Sequence, residues 1–344
     1  MQSLSLLEPG TLRALDLPEP APPGPGEALV RVHRVGVCGT DLHAFRGKQP
    51  FFTYPRILGH ELGVEVLAVG AGVTSVAPGE RCAVEPYLNC GGCIACRRGK
   101  SNCCTQLKVL GVHVDGGLRE RFVLPSAKLH PSRTLSFDQL ALVETLGIGA
   151  HAVDRAALTA GETVAVLGTG PIGLAVIQFA LAAGARVLAV DREARRLEFC
   201  RDRLGLAADA TIDAAASPDV GARLADLTGG DLPTAVFDAT GNPASMAASF
   251  NYPAHGGRLV FVGLFPGEVT FNDPNFHRRE LTLLASRNSR PEDFRRILTL
   301  VEAGRVDTTP WITHRAPLAA VPEQFAGWTD PAAGVLKAMI ALTP

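Results

Sequence analysis

The fold is decided by residues 162–191, which read ETVAVLGTGPIGLAVIQFALAAGARVLAVD. An apolar run leads into the glycine-rich hexapeptide GTGPIG, an apolar helical stretch follows, and a second apolar run ends at Asp191. A strand, a glycine-rich turn, a helix and a second strand in this order are typical of a parallel sheet that binds a dinucleotide. We therefore interpret this stretch as the start of a doubly wound Rossmann domain in an α/β protein.

The chain that follows repeats the alternation of strand-like and helical stretches. With ETVAVLG, the strand-like runs RVLAVD, ADATID, TAVFDAT, RLVFVG and LTLLAS make six. Strands that alternate with helices form a parallel sheet with both faces covered. The sequence thus predicts a six-stranded parallel sheet.

The chain on either side of this region has a different pattern. Residues 1–147 contain short valine-rich runs broken by Gly and Pro, which predict a β-rich, barrel-like domain. After the helical stretch PEDFRRILTLVEAG, the tail is too short to form a domain of its own. We predict that residues 148–290 form the Rossmann domain and that residues 291–344 return to the first domain.

Composition excludes several classes of function. The 344 residues carry 33 Lys and Arg against 34 Asp and Glu, so no basic field for nucleic acid is expected. The first residues lack a secretory pattern, and no apolar stretch reaches the roughly 20 residues that span a bilayer. We expect a cytoplasmic protein with a small-molecule substrate and no membrane partner. In that compartment its eight cysteines suit metal ligands or buried thiols better than disulfides.

The glycine-rich loop has the spacing of a cofactor site. Gly168 would make the tight turn, Gly170 would let the backbone approach a pyrophosphate, and Gly173 would let helix pack on strand. The helix N-terminus would offer free N–H groups to the phosphates. The other predicted cofactor-binding residues are Pro171, Ile172, Val262 and Gly263.

Asp191 lies 18 residues beyond Gly173. A carboxylate there would accept both ribose hydroxyls and repel a 2′-phosphate, which favours NAD. The neighbouring Arg192 could tolerate that phosphate, and the alternative for Asp191 is an ordinary solvent-facing carboxylate at a strand end.

The cysteines of one loop have the spacing of a structural metal site. Cys90, Cys93 and Cys96 are followed by Cys104, giving C-x2-C-x2-C-x7-C. Four thiolates suit a closed tetrahedral zinc site with no position left for a substrate. Cys103 is adjacent and could replace Cys104. The loop alone would also permit a zinc ribbon that binds nucleic acid, but the balanced charge argues against it.

A second set of possible ligands has a mixed composition. It consists of Cys38 in GVCGTDLH, His60 and Glu61 in GHE, and Glu144 in LVETLG. A thiolate, an imidazole and a carboxylate would leave one coordination position open, as a catalytic zinc requires. Spacing alone does not establish this set.

Taken together, these motifs resemble those of the zinc-containing medium-chain dehydrogenases. GVCGTDLH, GHE, the four-cysteine loop, TLGIGAHAV and GTGPIG occur in the family's order, so the resemblance covers essentially the whole chain. It implies a GroES-like catalytic domain interrupted by the Rossmann domain. It also implies two zinc ions, NAD, and a homo-oligomer that is a tetramer or a dimer. The motif CGTD-x-H and Glu144 are most similar to the sorbitol, threonine and sugar-acid dehydrogenase branch.

The resemblance implies roles for individual residues. Cys38 and His60 match catalytic zinc ligands, and either Glu61 or Glu144 would bind the metal while the other holds a zinc-bound water. Thr40 matches the hydroxyl that takes the substrate proton, and His43 the histidine that passes it to solvent; a surface histidine is the alternative for His43. Asp41 matches the carboxylate that orients His60.

The activity implied is hydride transfer between a secondary alcohol and NAD, with a polyol or sugar acid as the expected substrate. Arg287, Asn288 and His113 are candidate substrate contacts, because an Arg can bind a carboxylate through two parallel hydrogen bonds. Arg287 could instead only pair with an acidic side chain or the cofactor. Threonine oxidation is the alternative activity. A zinc-free quinone reductase relative is disfavoured by Cys38 and the four-cysteine loop.

Overall fold

The computed structural model describes residues 1–50 and 52–343, which divide into two compact units. The first comprises residues 1–144 and 290–344, and the second residues 145–289. The predicted boundaries at 147 and 290 lie within three residues of these limits. The helices described include none that is both long and apolar enough to cross a membrane.

The strands of the first unit before the break are β1 (Gln2–Glu8), β2 (Thr11–Asp16), β3 (Glu27–Val37), β4 (Arg56–Ile57), β5 (Glu61–Val69), β6 (Arg81–Val84), β7 (Tyr87–Leu88), β8 (Lys108–Val109), β9 (Arg121–Pro125) and β10 (Leu129–Pro131). The helices over the same stretch are α1 (Gly39–Phe45), α2 (Ile94–Arg97), α3 (Phe137–Ala141) and α4 (Val143–Ala156).

The second unit contains the strands β11 (Thr163–Leu167), β12 (Arg186–Asp191), β13 (Thr211–Asp213), β14 (Ala235–Asp238), β15 (Arg258–Phe261) and β16 (Thr282–Ala285). Its helices after α4 are α5 (Pro171–Ala182), α6 (Ala194–Leu204), α7 (Val220–Leu227), α8 (Pro243–Ala248) and α9 (Asp273–Arg278). The C-terminal stretch adds α10 (Pro291–Glu302), β17 (Ile312–Pro317), α11 (Val321–Trp328) and β18 (Lys337–Ala341) to the first unit.

The second unit is the predicted Rossmann fold. Its parallel sheet has the order β13-β12-β11-β14-β15-β16, in which the strand order reverses between β11 and β14. Such a reversal is where dinucleotides bind, at the carboxyl ends of the strands. The interiors of β11 to β15 are buried and apolar, as in a sheet covered on both faces, whereas the edge strand β16 is mostly exposed. All six predicted strands are confirmed.

The first unit is built on a mainly antiparallel sheet with the order β10-β6-β5-β3-β18-β17, and β9 also pairs with β3. Alternate residues of β3 and β5 point into its core, which explains the valine-rich pattern of both runs. β18 pairs with β3, with Ala338 opposite Val37. The tail therefore supplies an interior strand to the sheet of the first unit.

Candidate active site

Strand pairing in the first unit assembles the mixed ligand set. β3 and β5 pair with Gly36 opposite Glu61, and Cys38 follows directly as the N-cap residue of α1. This register brings Cys38 beside His60 and Glu61. The ligand atoms of these three residues all lie within 4.8 Å of one another, and His60 and Glu61 are buried.

Glu144 approaches from another element. It lies in the first turn of α4 with 5% of its surface exposed, and its Oε1 accepts a hydrogen bond from the hydroxyl of Tyr87. Burial raises the pKa of Glu144, and the negative charge of Glu61 adds to that effect while His60 opposes it. Glu144 thus stands close enough to His60 and Glu61 for their charges to act on it.

The charges around His60 create a strong preference for a cation. Burial alone would lower the pKa of His60, but the negative charges of Asp41, Cys38 and Glu144 raise it well above the ordinary value of an imidazole. A buried anionic cluster of this kind must be compensated by bound positive charge.

One compensating cation belongs to the chain itself. Nζ of Lys337, which is 2% exposed, lies 2.7 and 2.8 Å from the two carboxylate oxygens of Glu61 and 3.3 Å from the carbonyl oxygen of Val37. Lys337 begins β18, so the pairing of β18 with β3 delivers its ammonium to the site. Glu61 is therefore already paired with one buried cation of the chain.

The donor set fits zinc. Zinc takes thiolate, imidazole and carboxylate ligands, and a set of three leaves a position open. Oδ1 of Asp41 and Nδ1 of His60 are both buried, and neither has a hydrogen-bond partner in the part of the chain that the structure describes. They lie 3.8 Å apart, too long for a hydrogen bond, although Asp41 stands where it could orient the imidazole.

The predicted proton-relay residues lie on α1. Asp41 fixes the start of this helix, because its Oδ2 accepts a hydrogen bond from the backbone N–H of Cys38 at 3.0 Å. Thr40 is half-buried and His43 is exposed. Residues three apart on a helix lie on the same face, so Thr40 and His43 share one face of α1.

The four predicted structural ligands also come together. Cys90, Cys93, Cys96 and Cys104 have sulfur atoms within 4.8 Å of one another, and Cys103 does not belong to this group. Backbone N–H groups point at the sulfurs: that of Cys90 lies 3.3 Å from Sγ of Cys104. Hydrogen bonds of this kind, first from Cys96, lower the pKa of Cys93 to about 5 and favour its thiolate. The group contains Cys104 and fits a closed zinc site.

In the second unit, the glycine-rich loop joins β11 to α5. Gly168 has φ of +83°, which favours glycine, and a Cβ on Gly173 would lie 1.8 Å from the carbonyl oxygen of Gly168. Gly170 is the N-cap residue of α5, and Pro171 occupies the first turn, followed by the half-buried Ile172. A tight glycine turn that leads into a helix N-terminus is the kind of loop that binds phosphate groups.

Asp191 ends β12 beside this loop, but its carboxylate is already engaged. Oδ2 accepts hydrogen bonds from the N–H and the hydroxyl of Thr169 at 2.6 and 2.8 Å, and Oδ1 accepts one from the N–H of Glu193 at 2.9 Å. A carboxylate has about four acceptor sites. A single ribose hydroxyl can be accommodated, and binding both would require the hydroxyl of Thr169 to turn away.

An unpredicted arginine also lies at the loop. Nη1 of Arg196 is 3.8 Å from Oδ2 of Asp191 and 3.7 Å from the position that a Cβ on Gly170 would take. Arg192 is exposed one residue after Asp191. Positive charge therefore flanks the carboxylate.

The remaining predicted cofactor residues follow β15. The N–H groups of Val262 and Gly263 both donate to the carbonyl oxygen of Asp238 at 2.9 Å. A Cβ on Gly263 would lie 2.3 Å from the backbone nitrogen of Gly241, so the turns after β14 and β15 touch at this glycine.

Of the predicted substrate residues, Arg287 and Asn288 lie in the second unit and His113 lies in the first. Arg287 is exposed just after β16, and the next residue, Asn288, has φ of +53°. His113 belongs to the first unit, where its Nδ1 accepts a hydrogen bond from the N–H of Val109 at 3.1 Å. That bond fixes the imidazole within its own loop.

Three residues of these sites were missed by sequence reasoning. Lys337 interrupts the apolar stretch AGVLKAMIAL, and a charge at a buried strand position was the available signal. Arg196 sits in a run of arginines after Asp191, which gave a weaker signal. Tyr87 gave no signal in the sequence, because its hydrogen bond to Glu144 forms only in the folded chain.

Comparison with known proteins gives the family of the chain. Residues 24–134 match the family described as the alcohol dehydrogenase GroES-like domain, and residues 171–303 match that of the zinc-binding dehydrogenases. The chain is 44% identical over 303 residues to L-galactonate-5-dehydrogenase of Escherichia coli K12, covering 88% of each protein.

Two further proteins are similar over nearly the full length. Sorbitol dehydrogenase of Gallus gallus is 36% identical, with 92% of this chain and 90% of that protein covered. A solved structure from Escherichia coli CFT073, described as a short chain alcohol dehydrogenase complexed with the cofactor NADH, superposes with a TM-score of 0.91 at 29% identity, covering 99% of each chain.

Proposed function

The chain belongs to the zinc-containing medium-chain alcohol and polyol dehydrogenases, and from this premise we propose that it oxidises a secondary hydroxyl of a sugar acid or polyol with NAD. The observation that carries the proposal is the group formed by the half-buried Cys38 with the buried His60 and Glu61, near the buried Glu144. A closed zinc site would exclude substrate, whereas this group leaves a position open.

The residues of the two metal sites would have distinct roles. Cys38, His60 and Glu61 would hold the catalytic zinc, and the four cysteines a structural one. When bound, zinc supplies Lewis-acid polarisation of the substrate oxygen, and the nicotinamide accepts the hydride. Lys337 holds Glu61 through both carboxylate oxygens, and Tyr87 holds Glu144.

The chain's own contribution to the reaction is to remove a proton. Oγ1 of Thr40 would accept the proton of the substrate hydroxyl while its own hydroxyl proton leaves toward the imidazole of His43, which would release a proton to solvent. The half-buried Thr40 and the exposed His43, three residues apart on α1, suit such a path. Asp41 caps the helix that carries both groups, so it fixes their orientation.

The glycine-rich loop and Asp191 support NAD as the coenzyme. The loop admits a pyrophosphate, and the negative charge of Asp191 disfavours a 2′-phosphate. NADH is the cofactor of the similar solved structure. Val262 and Gly263 would line the cofactor farther along the sheet edge.

The class of substrate rests on the named relatives. L-galactonate-5-dehydrogenase and sorbitol dehydrogenase are named for a sugar acid and a polyol. Arg287 is exposed after β16, where a guanidinium could bind a carboxylate through two hydrogen bonds. Asn288 and His113 would offer further polar contacts. Threonine oxidation is less favoured, because the relative at 44% identity acts on a sugar acid by its name.

A substrate panel tests this proposal. We expect NAD reduction to be fastest with L-galactonate or a similar aldonate, followed by polyols, with threonine and ethanol far behind. Thr40→Ala should retain bound zinc and lose most turnover, because the hydroxyl proton loses its acceptor. Arg287→Ala should raise KM more for an aldonate than for the neutral polyol of the same carbon skeleton. Ethanol or threonine as the best substrate would contradict the assignment.

The enzyme is further proposed to be a cytoplasmic homo-oligomer, either a tetramer or a dimer. Both proposed zinc sites need reduced thiols, which the cytoplasm maintains. β16 forms one edge of the Rossmann sheet, and its Leu283 is 40% exposed. An exposed edge strand is a template for pairing with a second chain. Sedimentation equilibrium gives the assembled mass.

A further inference from the structure

The short stretch from Glu85 to Asn89 touches both proposed zinc sites. Every second residue of the segment, namely Glu85, Tyr87 and Asn89, makes a side-chain hydrogen bond to a residue distant in the sequence. The hydroxyl of Tyr87, which is 3% exposed, donates to Oε1 of Glu144. Nδ2 of Asn89 donates to Sγ of Cys96 at 3.7 Å. One extended segment thus contacts the catalytic group and the four-cysteine loop.

The same segment forms one side of the base of that loop. β7 and β8 pair with Tyr87 opposite Val109 and Leu88 opposite Lys108. The four cysteines all lie between these two strands. Binding of one metal by four thiolates closes the loop and restrains the strands at its base, because metal binding and local folding are coupled.

Buried charges anchor the segment on its other side. Nζ of Lys128 lies 2.5 Å from Oε1 of Glu85 and 2.9 Å from Oδ1 of Asn89, while Nε2 of His130 lies 3.3 Å from Oε2 of Glu85. Glu85 is 1% exposed. Lys128 thus contacts both end residues of the segment, Glu85 and Asn89. The amide of Asn89 is oriented toward Cys96.

We propose that Tyr87 is a positioning residue for Glu144 and that the four-cysteine loop sets its position through β7 and Asn89. The loop is then a control element of the catalytic site and not only a stabiliser of its own lobe. Loss of metal from the loop would loosen β7, move the hydroxyl of Tyr87 and release Glu144. The inference rests on the proposed function for the role of Glu144, but the coupling itself is a property of the fold.

Cobalt spectroscopy tests the coupling without turnover. The catalytic zinc is exchanged for cobalt while the loop keeps zinc, and the visible d–d absorption is recorded for the unmodified protein, Tyr87→Phe, Asn89→Ala and Cys96→Ser. We expect all three variants to shift the spectrum in the same direction. Tyr252→Phe, in the other unit, is the matched control and should leave the spectrum unchanged.

Kinetics and a double variant complete the test. Tyr87→Phe should lower kcat by at least about tenfold with little change in KM, the effect of losing a hydrogen bond to a charged group. Because both changes act through one segment, Tyr87→Phe with Cys96→Ser should have no more effect than the larger single change.

The opposing outcomes are distinct. A Cys96→Ser or Asn89→Ala protein with the unmodified cobalt spectrum would overturn the coupling, as would additive effects in the double variant. If Cys96→Ser fails to fold, Asn89→Ala decides the matter with all four cysteines intact. A protein that oxidises no secondary alcohol but shows the shared spectral shift keeps the coupling and loses the proposed function.

Discussion

Glu61 depends on a partner that lies 276 positions away in the chain, the ammonium of Lys337. Burial would lower the pKa of Lys337, but the negative charges of Glu61, Cys38 and Glu144 raise it, so the lysine is held as a cation. The carboxylate of Glu61 is therefore shared between this cation and the proposed metal. We expect it to bind the metal more weakly than a carboxylate with no competing cation would.

Replacing this lysine tests how the site balances charge. Lys337→Met should destabilise the metal-free protein by about 3–5 kcal/mol, because it leaves a buried carboxylate without its cation. Zinc should restore part of that loss by taking over Glu61. Denaturant unfolding with and without zinc measures both effects, and Lys48→Met, at an exposed position outside the four-cysteine loop, is the control. Equal stability of Lys337→Met and the unmodified protein without metal would refute the role given to the lysine.

Coenzyme choice depends on the opposed charges of Asp191 and Arg196. We expect kcat/KM with NAD to exceed that with NADP by at least about tenfold, or about 1.4 kcal/mol. Asp191→Gly should reduce the difference in kcat/KM between NAD and NADP. It removes the repulsion between the carboxylate and the 2′-phosphate and leaves Arg196 to bind that phosphate. Adding Arg196→Ala to Asp191→Gly should increase the preference for NAD again. Equal use of both coenzymes by the unmodified enzyme would contradict the assignment.

Among the elements, three parallel strands of the Rossmann sheet are tied together at their N-terminal ends by Glu162. Its carboxylate accepts hydrogen bonds from the N–H of Thr159 at 2.7 Å and the hydroxyl of Thr234 at 2.5 Å, and it pairs with Arg258. Glu162 precedes β11, Thr234 precedes β14, and Arg258 begins β15. A single side chain therefore fixes the relative position of neighbouring strands.

The stabilisation from Glu162 should depend on pH. Burial would raise its pKa, but the hydrogen bonds from Thr234 and Thr159 and the charge of Arg258 lower it overall. A depressed pKa in the folded state contributes stability above the unfolded value of about 4.3, and that stability is lost as the pH falls through the folded value.

Glu162→Gln should therefore destabilise the protein by about 1–2 kcal/mol at neutral pH, and the difference should shrink below a pH of about 4. Denaturant midpoints across this range measure it. Glu268→Gln, at an exposed position, should show no such trend. A pH-independent difference for Glu162→Gln would contradict the electrostatic account.

Elements were predicted well where the pattern is local. Each Rossmann strand is a short apolar run between helical stretches, and the four-cysteine loop is confined to residues 90–104, so neighbouring residues carry the signal. Strand order and long-range pairing carry no such signal. The register that brings Glu61 to Cys38 and the bond from Tyr87 to Glu144 arise only when distant segments pack. Sequence spacing left the choice between Glu61 and Glu144 open, and the ligand group with Cys38 and His60 contains Glu61.

At the scale of the whole molecule, the Rossmann unit interrupts the sequence of the catalytic unit. The chain leaves the first unit after Glu144 and returns at Arg290, and β18 then pairs with β3 beside Cys38. The proposed catalytic site thus needs residues from both sides of the interruption. This dependence explains why a tail too short to be a domain carries a residue as important as Lys337.

In the proposed enzyme, Cys38, His60 and Glu61 hold the catalytic zinc and the four cysteines hold a structural zinc. The most direct measurement follows zinc content and NAD reduction in the same sample during mild chelation. We predict two zinc ions per chain at the start, with activity falling in proportion to the first ion lost, because that site has an open position and the other is closed. Added zinc should restore the activity. Full activity after loss of the first ion, or with one zinc per chain from the outset, would contradict the account.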